Sequence, residues 1–287
     1  MKKTTMKNIA ELNLSLIIIS SAAIFARFIE LDPTVITFWR SGIAFLVIGG
    51  YLFIKKNSFK ISNKKDNLLL LVSSLLFALH WVTYFYALQI SSVAIGMLSL
   101  FTFPVITAFI EPFYFKKKFN KRHLALAIVV VTGLYIMTPE INIENNNTKG
   151  IIAGVVSGVF FSLRNLTMKS NSAKYESTLL MFYQFLFITI TFIPFVFIAN
   201  PNKTLEFLPS ILVLGIFTTA IGHTLFVKSL KNFNVSTASI IASSQPVFGI
   251  IMGFIFLSEV PNMNTIIGGG VIISTVFIES YMTNKEM

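Results

Sequence analysis

Very few side chains in this sequence could do chemistry, and the most distinctive of them lie inside long apolar stretches. His80, Trp81 and Tyr84 are surrounded by hydrophobic residues, and so is His223 further along the chain. An ionisable or polar group is expensive to bury among apolar helices, so it marks a functional path by default. The structural alternative is a histidine satisfied by a neighbouring carbonyl and a tryptophan that fills space. We predict that these side chains line a path for a small molecule.

Two prolines occur within apolar stretches in the two halves of the chain. A proline inside a helix removes one backbone hydrogen bond and clashes with the preceding turn, so Pro104 and Pro246 predict a kink or a break. In a membrane, the freed carbonyls are tolerated where they face a cavity or polar neighbours. The prolines therefore mark either gating elements beside a cavity or static kinks needed for packing. The polar residues before them that could share such a cavity are Ser99, Thr102, Ser243 and Gln245.

Two arginines interrupt the apolar stretches. Arg40 could attract the carboxylate of a substrate, or it could reach the outer lipid headgroups or pair with Glu30 or Asp32. We expect one of these structural roles for Arg40. For Arg164, which falls near the end of another stretch, we expect anchoring to lipid headgroups.

The elements that carry these residues are predicted to be membrane-spanning helices. Hydrophobic residues make up 54% of the 287 positions and charged residues only 12%, and the mean hydropathy is +0.76. Soluble proteins carry about twice that share of charge, and about 20 apolar residues cross a bilayer core as a helix. We therefore predict one integral membrane domain over residues 1–287, with no room for a soluble catalytic domain. The ten predicted spans lie near residues 12–29, 34–54, 67–89, 92–115, 121–138, 148–168, 177–198, 207–230, 235–257 and 262–281.

The second half of the chain repeats the first. A shift of 142 positions aligns Trp81–Lys117 with His223–Glu259 without a gap. Each half holds five predicted spans, and an odd number makes the second half insert upside down relative to the first. The predicted fold is all-α, with ten transmembrane helices in two inverted five-helix repeats, about residues 9–138 and 148–281.

Spaced glycines predict close contacts between helices. Gly150, Gly154 and Gly158 recur every fourth residue in one stretch, and Gly249 and Gly253 do so in another. Small residues at this spacing let two membrane helices approach closely. We expect these glycines to serve packing, with a role in conformational change as the alternative.

The basic residues indicate the orientation in the membrane. The formal net charge is +11, yet Lys and Arg form short clusters between apolar stretches rather than a basic face for nucleic acid. Eighteen of the 23 fall in every second gap, which places both termini in the cytoplasm by the positive-inside rule. We expect a multi-pass protein of a bacterial inner (cytoplasmic) membrane. With no cysteine and three scattered histidines, we expect no disulfide, no metal site and no cofactor.

Two segments carry a resemblance to a known family. They are HWVTYFYALQISSVAIGMLSLFTFPVITAFIEP at 80–112 and HTLFVKSLKNFNVSTASIIASSQPVFGIIMGFIFLSEV at 223–260. Both resemble the EamA-type family of the drug/metabolite transporter superfamily, as do Arg40 and Glu259 with the glycine-rich last span. Lys117 departs from the glutamate that the family often has there. The resemblance covers essentially the whole chain.

Inverted repeats and this resemblance together predict transport. Inverted repeats are typical of secondary transporters, which alternate access to a site near the membrane midplane. Family members that resemble this chain export amino acids and other metabolites, so the resemblance implies export of amino acids or related compounds. The alternatives are an importer or a lipid-linked flippase of the same fold. An intramembrane enzyme would need a catalytic cluster, and the sequence offers none. The expected partners are a small-molecule substrate and membrane lipids, with the chain a monomer or homodimer.

Acidic residues offer little for ion coupling. Glu111 falls within an apolar stretch, but the basic run Lys116–Lys118 follows it, so we expect pairing rather than proton relay. Without a central carboxylate, proton coupling would fall to His80 or His223, because the ordinary pKa of histidine lies near physiological pH. The sequence therefore favours transport driven by the substrate gradient over proton antiport.

Overall fold

Helices account for the regular structure in the described part of the chain. The computed structural model describes residues 2–61, 63–116, 122–137, 142–233, 235–242 and 244–286, and those ranges contain no β-strand. The elements in chain order are α1 (Lys2–Ser20), α2 (Ala22–Phe28), α3 (Pro33–Ile54), α4 (Lys64–Ile90), α5 (Val93–Leu100), α6 (Phe103–Tyr114), α7 (Arg122–Met137), α8 (Asn146–Ser172), α9 (Ser177–Phe192), a 3₁₀ turn (Ile193–Ile198), α10 (Pro201–Glu206), α11 (Leu208–Val213), a π-helical segment (Leu214–Gly222), α12 (His223–Ser229), α13 (Val235–Ala242), α14 (Gln245–Leu257) and α15 (Met263–Glu286).

Polar side chains at the ends of the apolar stretches start the helices. Asp32 precedes α3 and accepts a hydrogen bond from the backbone N–H of Thr34 at 2.8 Å, while Pro33 is the first helical residue. Asn63 precedes α4 and accepts from the backbone N–H of Lys65 at 2.9 Å. The first N–H groups of a helix have no partner within it, so these caps fix where the helices begin.

Seven helical segments of the described residues are long and apolar enough to cross a membrane. We expected ten, and the other three predicted stretches hold shorter apolar helices. One reason is that α7 has only 16 residues, and another is that a break divides the ninth stretch into α13 and α14. The chain is an all-helical membrane protein, and helix length alone does not give ten spans. The seven segments are Ala10–Phe28, Pro33–Ile54, Lys64–Ile90, Val93–Tyr114, Asn146–Ser172, Ser177–Phe197 and Leu208–Ser229.

Two helical stretches are interrupted at matching positions. α5 ends at Leu100 and α6 begins at Phe103, while α13 ends at Ala242 and α14 begins at Gln245. Both interruptions come directly before a helix that has a proline, Pro104 or Pro246, in its first two residues. A proline in the first turn removes an N–H that has no helical partner there, so the break relieves the cost that the proline would impose within a continuous helix.

The eighth apolar stretch is a helix with a widened centre. α11 leads into the π-helical segment Leu214–Gly222, and α12 continues from His223. Within the wider turns, the hydroxyl of Thr219 donates to the carbonyl of Leu214, five residues earlier, at 2.9 Å. π-helical turns are rare and are frequent at functional sites. Here both Thr219 and His223 are buried inside the protein.

Helices from the two halves of the chain pack around a common centre. α4 lies along α8, and α3 packs on α9 and on the π-helical segment. α5 and α6 pack on α14 and α13, respectively, while α7 pairs with α15. Among the largest fully buried side chains are Trp81, Arg40 and Phe85. The packing therefore brings side chains from distant parts of the sequence to one central region.

Candidate functional site

A small cavity lies at the centre of the helix bundle. Its volume is about 30 Å³, and a single water needs roughly 10–15 Å³. Helices of both halves contribute to its wall, and aromatic rings dominate it. The residues that line it are Ile19, Ala22, Arg40, His80, Trp81, Tyr84, Phe85, Leu100, Phe101, Phe161, His223, Phe226 and Gln245.

Arg40 lies in the wall of this cavity with a fixed orientation. Its Nε donates to the hydroxyl of Thr219 in the π-helical segment at 2.9 Å. The guanidinium carbon lies 4.0 Å from the ring centroid of Trp81 and 4.9 Å from that of Phe85. The two terminal nitrogens, Nη1 and Nη2, are buried and have no hydrogen-bond partner. The side chain thus presents two free NH2 groups in an aromatic surrounding.

The structural roles that we expected for Arg40 are wrong. The side chain is 1% exposed, so it does not reach the lipid headgroups. Glu30 pairs with Lys203 at 3.1 Å, and Asp32 caps α3, so neither acid meets the guanidinium. Arg40 turns towards the bundle because the hydroxyl of Thr219 and the ring of Trp81 both lie on that side.

His80 is held in the cavity wall by a reciprocal contact with α8. The hydroxyl of Ser157 donates to the carbonyl of His80 at 2.8 Å, and the same oxygen lies 2.7 Å from Nδ1 of the ring. Because serine has one hydroxyl proton, Nδ1 must carry the proton of the second bond. The ring also stacks with Tyr84 and with Phe161, at centroid distances of 5.8 and 4.5 Å. This arrangement leaves Nε2 as the acceptor of the imidazole.

Trp81 and His223 come together from the two halves of the chain. Their ring centroids are 5.5 Å apart, and Phe77 contacts both rings, at 4.2 Å from Trp81 and 4.9 Å from His223. Nδ1 of His223 is buried and has no hydrogen-bond partner. His80 and His223 therefore line the same cavity, each supplied by a different half.

The polar residues beside the prolines divide into two groups. Gln245 is buried in the cavity wall. Ser99 donates to the carbonyl of Ile95 at 2.7 Å and Thr102 to the carbonyl of Ser99 at 2.8 Å, so both hydroxyls serve the backbone around the break. Ser243 lies outside the described residues. Pro104 and Pro246 are buried next to the breaks and are not part of the wall.

Arg164 occupies a second buried position, against the ring of Phe77. We expected it to reach lipid headgroups, and this expectation is wrong because the residue is 0% exposed. Its Nη2 donates to Oε1 of Gln184 at 2.6 Å, its Nη1 to the side chain of Asn165 at 3.0 Å, and its guanidinium lies 4.0 Å from the Phe77 ring. Gln184 in turn donates to the hydroxyl of Ser73. These contacts indicate a role in packing.

Glu111 is buried on α6, with 8% of the residue exposed. Two of the three lysines that we expected as its partners, 117 and 118, lie outside the described residues. Within the described residues, no group of three His, Asp or Glu side chains is placed to hold a metal ion.

Two sets of polar contacts join the two halves of the chain at opposite ends of α4. At one end, Arg27 pairs with Glu259 at 2.8 Å, and the other oxygen of that carboxylate accepts from the backbone N–H of Val93 at 2.8 Å. At the opposite end, Asp66 pairs with Lys174 at 2.7 Å and accepts from the hydroxyl of Tyr175 at 2.9 Å. The contacts of Glu259 and those of Asp66 each join helices or connections from different halves of the chain.

Several residues of the candidate site were not found from the sequence. Ser157 and Thr219 anchor His80 and Arg40. The aromatic wall is completed by Phe85, Phe101, Phe161 and Phe226. The glycines around Ser157 could have suggested a close contact there. No sequence signal distinguishes the four wall phenylalanines from the other 26 in the chain.

The sequence matches one transporter family along almost its full length. The profile of the EamA-like transporter family matches residues 10–138 and, a second time, residues 148–281. The chain belongs to this family. It is therefore a transporter and not an enzyme, and the resemblance that we read from the sequence is confirmed.

Relatives of this EamA-family chain are named as transporters. An uncharacterized transporter of Archaeoglobus fulgidus is 26% identical over 271 residues, which is 94% of both chains. The pseudopaline exporter CntI of Pseudomonas aeruginosa is 24% identical over 240 residues, 83% of this chain and 82% of its own. A solved crystal structure superposes with a TM-score of 0.71 over 98% of both chains at 12% identity. At that identity the likeness concerns the fold alone.

Proposed function

We propose that this EamA-family transporter moves a small metabolite by alternating access, with the central cavity as its binding site. The observation that carries the proposal is the composition of the cavity wall. Residues of the first half, such as Trp81 and His80, face residues of the second half, such as His223 and Gln245. Substrate sites at the interface of two repeats are typical of secondary transporters.

Ten spans in two inverted repeats are part of this proposal. α13 starts and ends 142 positions after α5 does. α14 likewise starts 142 positions after α6. α5 packs on α14 while α6 packs on α13, as expected for two equivalent broken helices that run in opposite directions. The family profile also matches two consecutive segments of the chain. These observations support an upside-down duplication.

The size of the cavity supports a mechanism in which the halves separate. A space of about 30 Å³ admits no metabolite, so binding requires the wall to open. The proposed gates are the ion pairs that join the two halves, Arg27 with Glu259 at one end and Asp66 with Lys174 at the other. Breaking one of these ion pairs at a time would expose the site to one side of the membrane. The breaks before Pro104 and Pro246 are the proposed hinges.

Export is the proposed direction, and both termini are proposed to lie in the cytoplasm of a bacterial cell. The support for export is a relative named as a pseudopaline exporter. The support for the orientation is the clustering of Lys and Arg in alternate connections. Amino acids or related small metabolites are the proposed cargo. The chain would act as a monomer or homodimer in a cytoplasmic membrane.

A lipid flippase of the same fold has less support. A lipid headgroup needs a polar groove at the side of the bundle. The described residues do form a cavity of about 340 Å³ between α3, α9 and the eighth stretch, but its wall is mainly apolar. That surface suits an acyl chain rather than a headgroup. The residues that line it are Val47, Ile48, Tyr51, Thr178, Ala220, Ile221, Thr224 and Leu225.

Metabolite profiling of the growth medium tests the proposed function. Cells that express the native chain are compared with cells that express equal amounts of a His80→Ala, His223→Ala double variant, and with an empty-vector strain. Export predicts that a defined compound accumulates outside only with the native chain. A His123→Ala variant, altered at the start of α7, controls for the loss of a histidine elsewhere. Depletion of a compound would indicate import, and an unchanged medium would contradict small-metabolite transport.

A further inference from the structure

The cavity contains a guanidinium whose binding groups are free and whose position is fixed. Thr219 holds Nε of Arg40, and the rings of Trp81 and Phe85 lie against the guanidinium. These contacts use one of the five N–H donors of arginine and leave Nη1 and Nη2 without partners. Two terminal nitrogens in one plane match the two oxygens of a carboxylate. The contacts therefore present a preformed site for such a group.

The charge of Arg40 is not balanced by the protein. None of the described residues that line the cavity is acidic, and the guanidinium makes no ion pair among the described residues. A buried charge without a partner is costly, and the cost is greater in a membrane than at a water-exposed surface. The attraction of the Trp81 and Phe85 rings offsets only part of this cost, since a cation–π contact is weaker than pairing with an anion. An anion bound in the cavity would offset the rest of the cost of burying this charge.

A comparison with Arg164 shows that unpartnered terminal nitrogens are not a general property of buried arginines in this protein. Both terminal nitrogens of Arg164 have acceptors, on Gln184 and Asn165. Its unpartnered atom is Nε, which is not one of the terminal pair. Arg164 also does not line the central cavity. The open fork of Arg40 is therefore specific to the cavity.

We infer that the transported molecule is an organic carboxylate with an apolar body, and that Arg40 binds its carboxylate through Nη1 and Nη2. This inference rests on the proposed function, because it assigns the substrate class of the same cavity. Nδ1 of His223 is a second unpartnered nitrogen in the cavity wall and supplements Arg40. Phe101, Phe161 and Phe226 surround the apolar body. Amines without an acid group are rejected, because Arg40 repels them and no lining acid compensates.

The test extends the profiling experiment with substitutions of Arg40. Arg40→Gln removes the charge, and Arg40→Lys keeps the charge but loses the planar pair of donors. Lys203→Gln is the control, because it removes one exposed positive charge that does not line the cavity. Compounds that the native chain exports should all carry a carboxylate. Charged hydrogen bonds of this kind account for about a 10- to 100-fold difference in affinity, so Arg40→Gln should lose export, Arg40→Lys should retain a small part, and Lys203→Gln should retain all of it.

A second measurement uses the native chain alone, so it remains decisive if the Arg40 variants do not fold. In inside-out vesicles, uptake of the exported radiolabelled compound is inhibited with the unlabelled acid or with its primary amide, which has the same shape without the charge. The acid should inhibit at least about tenfold more strongly than the amide. Equal inhibition by the two would overturn the inference.

The outcomes separate the inference from the proposed function. Export of neutral or cationic compounds that lack a carboxylate would leave the transporter proposal standing and overturn the role of Arg40. Export of carboxylates that is unchanged in a stably folded Arg40→Gln variant would do the same. Absence of any difference between the native chain and the empty vector would instead overturn the proposed function itself.

Discussion

At the scale of single residues, the centre of the protein depends on Trp81. Its ring is 1% exposed and lies 4.0 Å from the guanidinium carbon of Arg40. It also contacts His223 at 5.5 Å and Phe185 at 6.0 Å between ring centroids, and both of those residues belong to the second half of the chain. One indole therefore orients the candidate anion-binding group and fills the contact between the halves.

Trp81→Ala should reduce transport by about tenfold or more, because loss of the cation–π contact and of the wall both weaken substrate binding. The measurement is the initial export rate at equal membrane abundance, determined by immunoblotting of isolated membranes. Trp39→Ala is the matched control, since Trp39 is the other tryptophan of the chain, is partly exposed and does not line the cavity. If membrane abundance and transport of the variant fell in parallel, the role of Trp81 would be packing alone.

At the scale of helices, the glycine face of α8 positions the site. A Cβ atom built on Gly154 would lie 2.5 Å from Cβ of Ser99 and 3.2 Å from the backbone nitrogen of Leu100. A Cβ on Gly158 would lie 3.0 Å from the carbonyl oxygen of Leu100. α5 can therefore approach α8 only because these side chains are absent. Ser157, next to Gly158, reaches His80 from the same helix.

Gly154→Ala should destabilise the protein by about 1–3 kcal/mol, because the new methyl group overlaps atoms of α5 that cannot move independently of the backbone. The expected readout is a lower melting temperature of the purified protein in detergent. Gly50→Ala provides the comparison, since no heavy atom lies within 4 Å of a Cβ built at that exposed position of α3. Equal melting temperatures for the native chain and both variants would show that α5 and α8 are less closely packed.

At the scale of the whole molecule, the proposed orientation rests on charge and not on packing. The packed helices would be the same if the bundle were inverted in the membrane, whereas Lys and Arg residues concentrate in alternate connections. The positive-inside rule turns this asymmetry into a direction. The connection around Asn57 is then cytoplasmic, and the connection around Glu144, between the two halves, is external.

Single-cysteine labelling tests this orientation directly, because the native chain has no cysteine to remove. Glu144→Cys should react with a membrane-impermeant maleimide in intact cells, and Asn57→Cys should react only after permeabilisation. Both native residues are exposed, so access within the protein does not limit either reaction. The reverse labelling pattern would contradict the proposed orientation.

Local features of the chain were predictable from sequence because they depend on neighbours in the chain. Apolar length and low charge predicted a multi-pass membrane protein, and the segments at 80–112 and 223–260 identified the family; both predictions are confirmed. The ten spans and their inverted relation stay predictions that the matching breaks before Pro104 and Pro246 support. A proline acts on its own helix, so its effect can be read without knowing what surrounds it.

The directions of buried polar side chains were decided by the tertiary structure alone. In a soluble helix the polar face marks the side away from the core, but in lipid both faces are apolar and that signal disappears. The sequence therefore could not tell whether Arg40 and Arg164 point to headgroups or inward, and our expectation for both was wrong. Contacts with Thr219, on a π-helical turn about 180 residues away, and with Gln184 turn them inward. Sequence determined that the chain enters a membrane and which family it joins, while long-range packing decided which side chains share the central cavity.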